Sequence, residues 1–201
     1  MDVHTRRKDF LAVESFYFAR LGVNYWLKQN LTLAAGYAHM WLAPAKPGWQ
    51  YFAEEHRTYQ QMQLTARIGK ISLLQRLRNE QRWQEKIVDD TFIRKYKFTN
   101  RTRYLFSLTV PVFRNPHLPS LVISDELAVQ FGKEILYNTF DQNRAFIGIR
   151  QTISKTLAFD LGYMQVYQQK ATGYQYDKNH TLRWFLYYTP DFRASTPGPS
   201  R

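Results

Sequence analysis

The chain of 201 residues has no cysteine. That excludes a disulfide framework and any Cys-ligated zinc or iron–sulfur centre. It has no apolar run approaching the roughly 20 residues that a membrane-spanning helix needs. No glycine-rich phosphate loop is present, and helical periodicity is almost absent. Acidic residues are in the minority, with 16 Asp+Glu against 28 Lys+Arg and a formal net charge of +12. No run of Lys or Arg and no nucleic-acid motif accompanies that excess, so nucleic acid is not an expected partner. Disorder is excluded from the other direction. The chain carries 14 Tyr, 14 Phe and 5 Trp, and aromatics reach 16%, whereas disordered chains are poor in them.

What repeats is alternation with period two. In 13–28, Tyr17, Leu21, Val23 and Tyr25 fall on one face, against Phe18, Arg20, Gly22 and Asn24. The same alternation recurs over 31–41, 55–67, 72–84, 94–112, 120–132, 142–153, 157–167 and 179–188. With a stub at 1–7, the pattern predicts ten strands: an all-β, antiparallel up-and-down barrel. Residues 1–190 make one β-barrel domain, and 191–201 read as a disordered tail. The expected links alternate in length. Lys28-Gln29-Asn30, Gly69-Lys70, 115–119 and 154–156 are tight, while 42–54, 85–93, 133–140 and 170–178 are longer. A membrane barrel does this, with tight turns on the periplasmic side and larger loops outside.

One phase of the alternation collects the charge. It holds Arg57, Arg76, Arg78, Glu80, Arg82, Arg101, Arg103, Glu126, Arg144 and Arg150, together with Arg20, Glu55, Asp160 and Arg183. The opposite phase is mostly Leu, Ile, Val, Ala and aromatics. A soluble lipocalin-like barrel would turn the apolar phase inward to hold an apolar ligand. An outer-membrane barrel would turn the charges into its lumen. Three observations favour the membrane. The apolar stretches match the 9–11 residues of a tilted spanning strand. Aromatics gather near strand ends. The charges are Arg and carboxylate, which suit a crowded lumen because guanidinium makes planar forked hydrogen bonds. Against this, Asn79, Gln81 and Asp125 fall in the apolar phase, and the reading places them at a membrane interface.

Gly36-Tyr37, Glu55-His56-Arg57 with Gln60-Gln61, the run 76–82, 101–104, Asp125-Glu126, Asn143-Arg144 before Gly148, and Leu161-Gly162-Tyr163 occur in an order and spacing of their own. Together they resemble a bacterial, Bacteroidetes-type family, the domain-of-unknown-function family twenty-four-ninety. The resemblance covers Asp2 to about Pro190. It implies a secreted outer-membrane β-barrel and no established activity. The opening Met1-Asp2-Val3-His4 departs from it, since no apolar segment precedes a small-residue cleavage site. Val3, Thr5 and Arg7 already alternate from the first residues, so strand one reads as truncated. The expectation is a natural start upstream, with an export signal and about ten more residues that complete strand one and pair it with 179–188.

No chemistry stands out for catalysis. His4, His39, His56, His117 and His180 show no pair with metal-ligand spacing. Glu55 and His56 are adjacent in a strand and point to opposite faces. No catalytic residue, metal or cofactor is therefore expected, and the chain does not read as an enzyme. An outer-membrane lipid-modifying enzyme is the alternative, and it would need a polar cluster at the outer rim. The arginine ladder reads chiefly as paired charge filling a narrow lumen, with a structural, accessory or narrow solute-path role. Its surplus of Arg needs water, carbonyls or an anion. The expected surroundings are outer-membrane lipid and other outer-membrane proteins.

Overall fold

The structure is a computed structural model and describes residues 1–8, 13–115, 117–170 and 172–190. The tail expected at 191–201 lies outside the described residues. Ten strands follow in chain order: β1 (Asp2–Lys8), β2 (Val13–Lys28), β3 (Leu31–Leu42), β4 (Ala53–Ile68), β5 (Ile71–Val88), β6 (Thr91–Val110), β7 (Ser120–Phe131), β8 (Phe140–Thr152), β9 (Leu157–Gln169) and β10 (Tyr176–Tyr188). Each pairs antiparallel with the next, in one sheet. No helix occurs among the described residues. β1 and β10 are the two ends of the sheet and share no ladder. The sheet nonetheless curls far enough for them to meet, and the His4 ring packs edge-on against Phe185 at 4.8 Å.

Paired glycines help the sheet to bend. Gly22 and Gly36 face each other across β2 and β3. A Cβ on Gly36 would lie 2.1 Å from the Leu21 carbonyl oxygen and 2.6 Å from the Gly22 Cα. Glycine is the only residue that allows this approach. The Tyr59 ring covers the space that the two missing side chains leave, as aromatic residues do over glycine in curved sheets. Gly148 and Gly162 repeat the device across β8 and β9, with Phe146 as the cover.

The burial pattern is inverted relative to a water-soluble domain. The buried hydrophobic residues are few and mostly small, among them Ala38, Val122, Ala128 and Val166. Buried charged residues include Glu55, Arg57, Arg78, Glu80, Arg101, Arg103, Glu126 and Asp160. Most of the exposed large apolar side chains stand on the outer wall, where Leu182 is 80% exposed, Val23 75% and Trp184 68%, while Phe16, Phe18, Leu105, Phe146 and Phe185 line the interior.

The links differ from expectation at two places. The segment 85–93, expected as a long loop, is a two-residue turn, and both flanking strands run on to meet it. Asp89 (φ 47°) and Asp90 (φ 58°) take the left-handed conformation that a tight hairpin turn requires. Residues 85–88 pair only with β6, so this hairpin extends past its neighbours. The β6–β7 link is longer than expected, covering 111–119. The hairpin tip holds the β3–β4 loop. The Asp90 carboxylate accepts hydrogen bonds from the backbone N–H of Gln50 (2.9 Å) and Tyr51 (2.8 Å). The Tyr51 hydroxyl donates to Glu85 at 3.0 Å. Partial burial and the Glu85 carboxylate push the Tyr51 phenol up from its ordinary pKa.

Candidate functional site: an arginine-rich lumen

Alternation sends every second residue of β4 to β8 inward, and the antiparallel register decides who meets whom. Glu80 lies opposite Arg101. Arg57 lies opposite Arg82, and Arg78 opposite Arg103. Like charges directly opposite would repel. A carboxylate beside each pair offsets this. Glu55 accepts from Arg57 and, at 2.8 Å, from Arg82 Nε. Glu80 accepts from Arg101 Nε at 2.8 Å and Arg103 Nη1 at 3.0 Å, with Arg78 at 3.7 Å and Arg57 at 3.9 Å. Glu126 accepts from Arg76 at 2.7 Å and from Arg103, and Arg144 approaches to 3.8 Å. Arg103 thus joins Glu80 to Glu126. Arg150 clamps Asp160 through Nε and Nη2, both at 2.7 Å. Tyr187 donates to the same carboxylate at 2.8 Å.

All ten residues expected in the lumen network therefore face one cavity or its wall. Nine of them fall into a connected group around Glu55, Glu80 and Glu126, and Arg150 stands apart with Asp160. Glu55, Asp141 and Gln61 complete the group: Asp141 accepts from Arg101 at 3.0 Å, and Gln61 from Arg78 at 2.9 Å. Asp141 was not singled out in the sequence and Gln61 stood there only in the Gln60-Gln61 motif, because nothing local marks them as partners of arginines 40 and 17 residues away.

The charges do not fill the barrel. A cavity of about 1600 Å³ remains, lined from all ten strands by eleven arginines and five carboxylates among others. Aromatic faces take up part of the cationic surplus. Arg20 and Arg78 flank the Tyr59 ring at 5.4 and 5.1 Å, and Arg183 sits over Phe146 and Phe185 at 4.7 and 4.2 Å. Guanidinium nitrogens are still left over. Arg76 Nε, Arg82 Nη1, Arg103 Nε, Arg144 Nε and Arg183 Nε are buried without a hydrogen-bond partner. Unmet donors beside an open cavity call for water or an anion.

The outer wall carries groups that the sequence treated as awkward or idle. Asn79 and Gln81 join a neutral ladder across β4, β5 and β6. Thr58 donates to Gln81 at 2.8 Å, Gln60 and Gln81 exchange bonds at 3.2 and 3.1 Å, and Asn79 donates to Asn100 at 2.7 Å and Thr102 at 3.2 Å. Asp125 accepts from Asn143 at 2.9 Å. His39 and His56, which lack ligand spacing in the sequence, are brought opposite each other by the β3–β4 register.

The strand order, the inward charge and the outward apolar phase define a small up-and-down β-barrel type of protein. The family model described as protein of unknown function (DUF2490) matches residues 1–178, and the chain belongs to that family. No curated protein and no solved structure matches it.

Proposed function

We propose that this protein is an outer-membrane β-barrel whose lumen binds and passes small anionic solutes. The apolar outer wall carries the reading: large aliphatic and aromatic side chains cover it, while buried charge lies inside. A soluble lipocalin-like barrel needs the opposite assignment. Apolar area on that scale is expensive in water, at about 25 cal/mol per Å², and belongs against lipid. The anionic preference follows from the arginine surplus and the unpartnered guanidinium N–H groups around a cavity of about 1600 Å³. Pairing with outer-membrane lipid, and with neighbouring outer-membrane proteins along the wall, accompanies this location.

Two measurements test it. Expressed with an export signal, the protein should fractionate with the outer membrane, require detergent and migrate faster on gels before boiling than after. Recovery as a soluble species without detergent would overturn the location. In liposomes carrying the refolded chain, small carboxylates should enter faster than ammonium compounds of matched size. Equal entry, or none, would overturn the anion path and leave the location standing.

A further inference from the structure

We propose that His39, Glu54 and His56 form a binding site for a divalent transition metal of the zinc type, on the outer wall at the rim beside the β3–β4 loop. Two facts of topology assemble it. The register places His39 opposite His56. Residues 54 and 56 share the outward phase of β4, because side chains two apart in a strand lie on one face. The imidazole rings stand 4.6 Å apart. His39 Nε2 is 3.2 Å from Glu54 Oε2, and His56 Nε2 is 3.7 Å from the same oxygen. The three ligand atoms all lie within 4.8 Å of one another.

Those distances match a metal's demand. Bonds of about 2.0–2.2 Å at tetrahedral angles hold ligand atoms about 3.4 Å apart. One observed edge is slightly shorter and one slightly longer. A small side-chain rotation closes the third. The rings are also held in place. Trp41 stacks on His39 at 4.3 Å with a 10° interplanar angle. The Tyr37 hydroxyl lies 2.5 Å from His56 Nδ1, which leaves Nε2 free for a metal and supplies the outer partner that metal-bound histidines ordinarily have.

The nitrogens are not otherwise occupied. His39 Nε2 is buried and makes no hydrogen bond, despite its closeness to Glu54. An aromatic cluster at a membrane rim would direct such a nitrogen toward water or headgroups. Here it lies beside the Glu54 carboxylate and near His56. Two imidazoles and one carboxylate suit Zn²⁺, Ni²⁺ or Cu²⁺ rather than the all-oxygen ions Ca²⁺ and Mg²⁺. Three protein ligands leave a coordination position open, on the partly exposed side of Glu54 and His56.

Calorimetric titration of the full chain, in detergent and freed of metal, with Zn²⁺ alone tests the site. Saturable binding of one Zn²⁺ per chain is expected. His39→Ala and His56→Ala should each weaken it at least about tenfold, and Tyr37→Phe, a positioning change, by less. His180→Ala, whose imidazole meets Tyr163 instead, should leave affinity unchanged. Circular dichroism establishes that each variant keeps its sheet. Co²⁺ on the unaltered chain gives a readout that needs no variant: visible bands of a four-coordinate ion. Absence of saturable Zn²⁺ binding, or an affinity in His39→Ala and His56→Ala equal to that of the unaltered chain, would overturn the proposal. Neither result bears on the anion path through the lumen.

Discussion

Glu80 and Gln81 are adjacent in β5 and live in opposite media. Glu80 points inward and is 3% exposed, among Arg57, Arg78, Arg101 and Arg103. Gln81 points outward and bonds only to neutral groups, Thr58, Gln60 and Asn79. The lumen can use full charges because carboxylates and guanidiniums surround one another beside an open, polar cavity. Around Gln81 the outer wall offers no such partners, and the polar side chains there are amides and hydroxyls that satisfy each other along a row. Each device meets the same requirement, that a polar group away from water be hydrogen-bonded. They differ in what a single deletion leaves behind. Removing a lumen carboxylate strands several cations. Removing one amide leaves neighbours that can pair differently.

The largest expected effect comes from breaking the lumen side of that contrast. Glu80→Ala should destabilise the barrel by about 3–5 kcal/mol, because it removes the carboxylate shared by Arg57, Arg78, Arg101 and Arg103 and leaves Arg101 and Arg103 with Asp141 and Glu126 alone as counter-charges. An unchanged unfolding midpoint in denaturant would mean that the lumen is solvated and its pairs energetically idle. Next comes the curvature that brings the strands together. Gly36→Ala should cost about 1–3 kcal/mol by forcing the β2–β3 backbones and Tyr59 apart. The mutant should also lose the Arg20–Tyr59–Arg78 stack, visible as altered tyrosine fluorescence. A stability equal to the unaltered chain would show that the close approach is not needed.

On the outer wall, Gln81→Leu should cost only about 1 kcal/mol or less, since it removes neutral bonds while adding apolar surface. A loss as large as that of Glu80→Ala would erase the distinction between the two faces. The smallest effect belongs to the loop clasp. Tyr51→Phe should change global stability by about 0.5 kcal/mol, the low end for a single hydrogen bond, and should speed proteolysis of the β3–β4 loop. The raised Tyr51 pKa sets the pH direction. A group whose folded pKa lies above its unfolded value stabilises fully below the unfolded value, about 10 for tyrosine, and loses that contribution as pH rises through the folded value. Loop protection should therefore hold at neutral pH and fade only in strong alkali, and Tyr51→Phe should abolish that dependence.

Much of the architecture was legible because alternation is a local property. Two residues decide which face the third will take, and hydrophobic or charged content then labels the face. The phases of β4, β5, β6 and β7 could be read residue by residue for that reason. The β5–β6 hairpin was misread for a related one. Residues 85–93 carry polar groups on both faces, so the alternation that marks a strand fades where the hairpin extends beyond its neighbours. The Asp89-Asp90 turn also lacks the glycine that usually signals a tight hairpin.

The sequence by itself determined the number of strands, their order and which residues share a charged or an apolar face, since each follows from neighbours two residues apart; which face turns inward was decided by the curl of the sheet. Register and curvature decided the rest. Arg76 and Glu126 are 50 residues apart and on strands that are not neighbours. Only the bend of the sheet across β5, β6 and β7 lets them meet. His39 and His56 belong to adjacent strands but become partners through a single alignment out of many, and a slip by one residue would send one of them into the lumen. The cavity of about 1600 Å³ was invisible for the same reason. Its volume depends on how tightly ten strands curl, and Gly22 against Gly36 helps to set that through contacts between strands rather than along one.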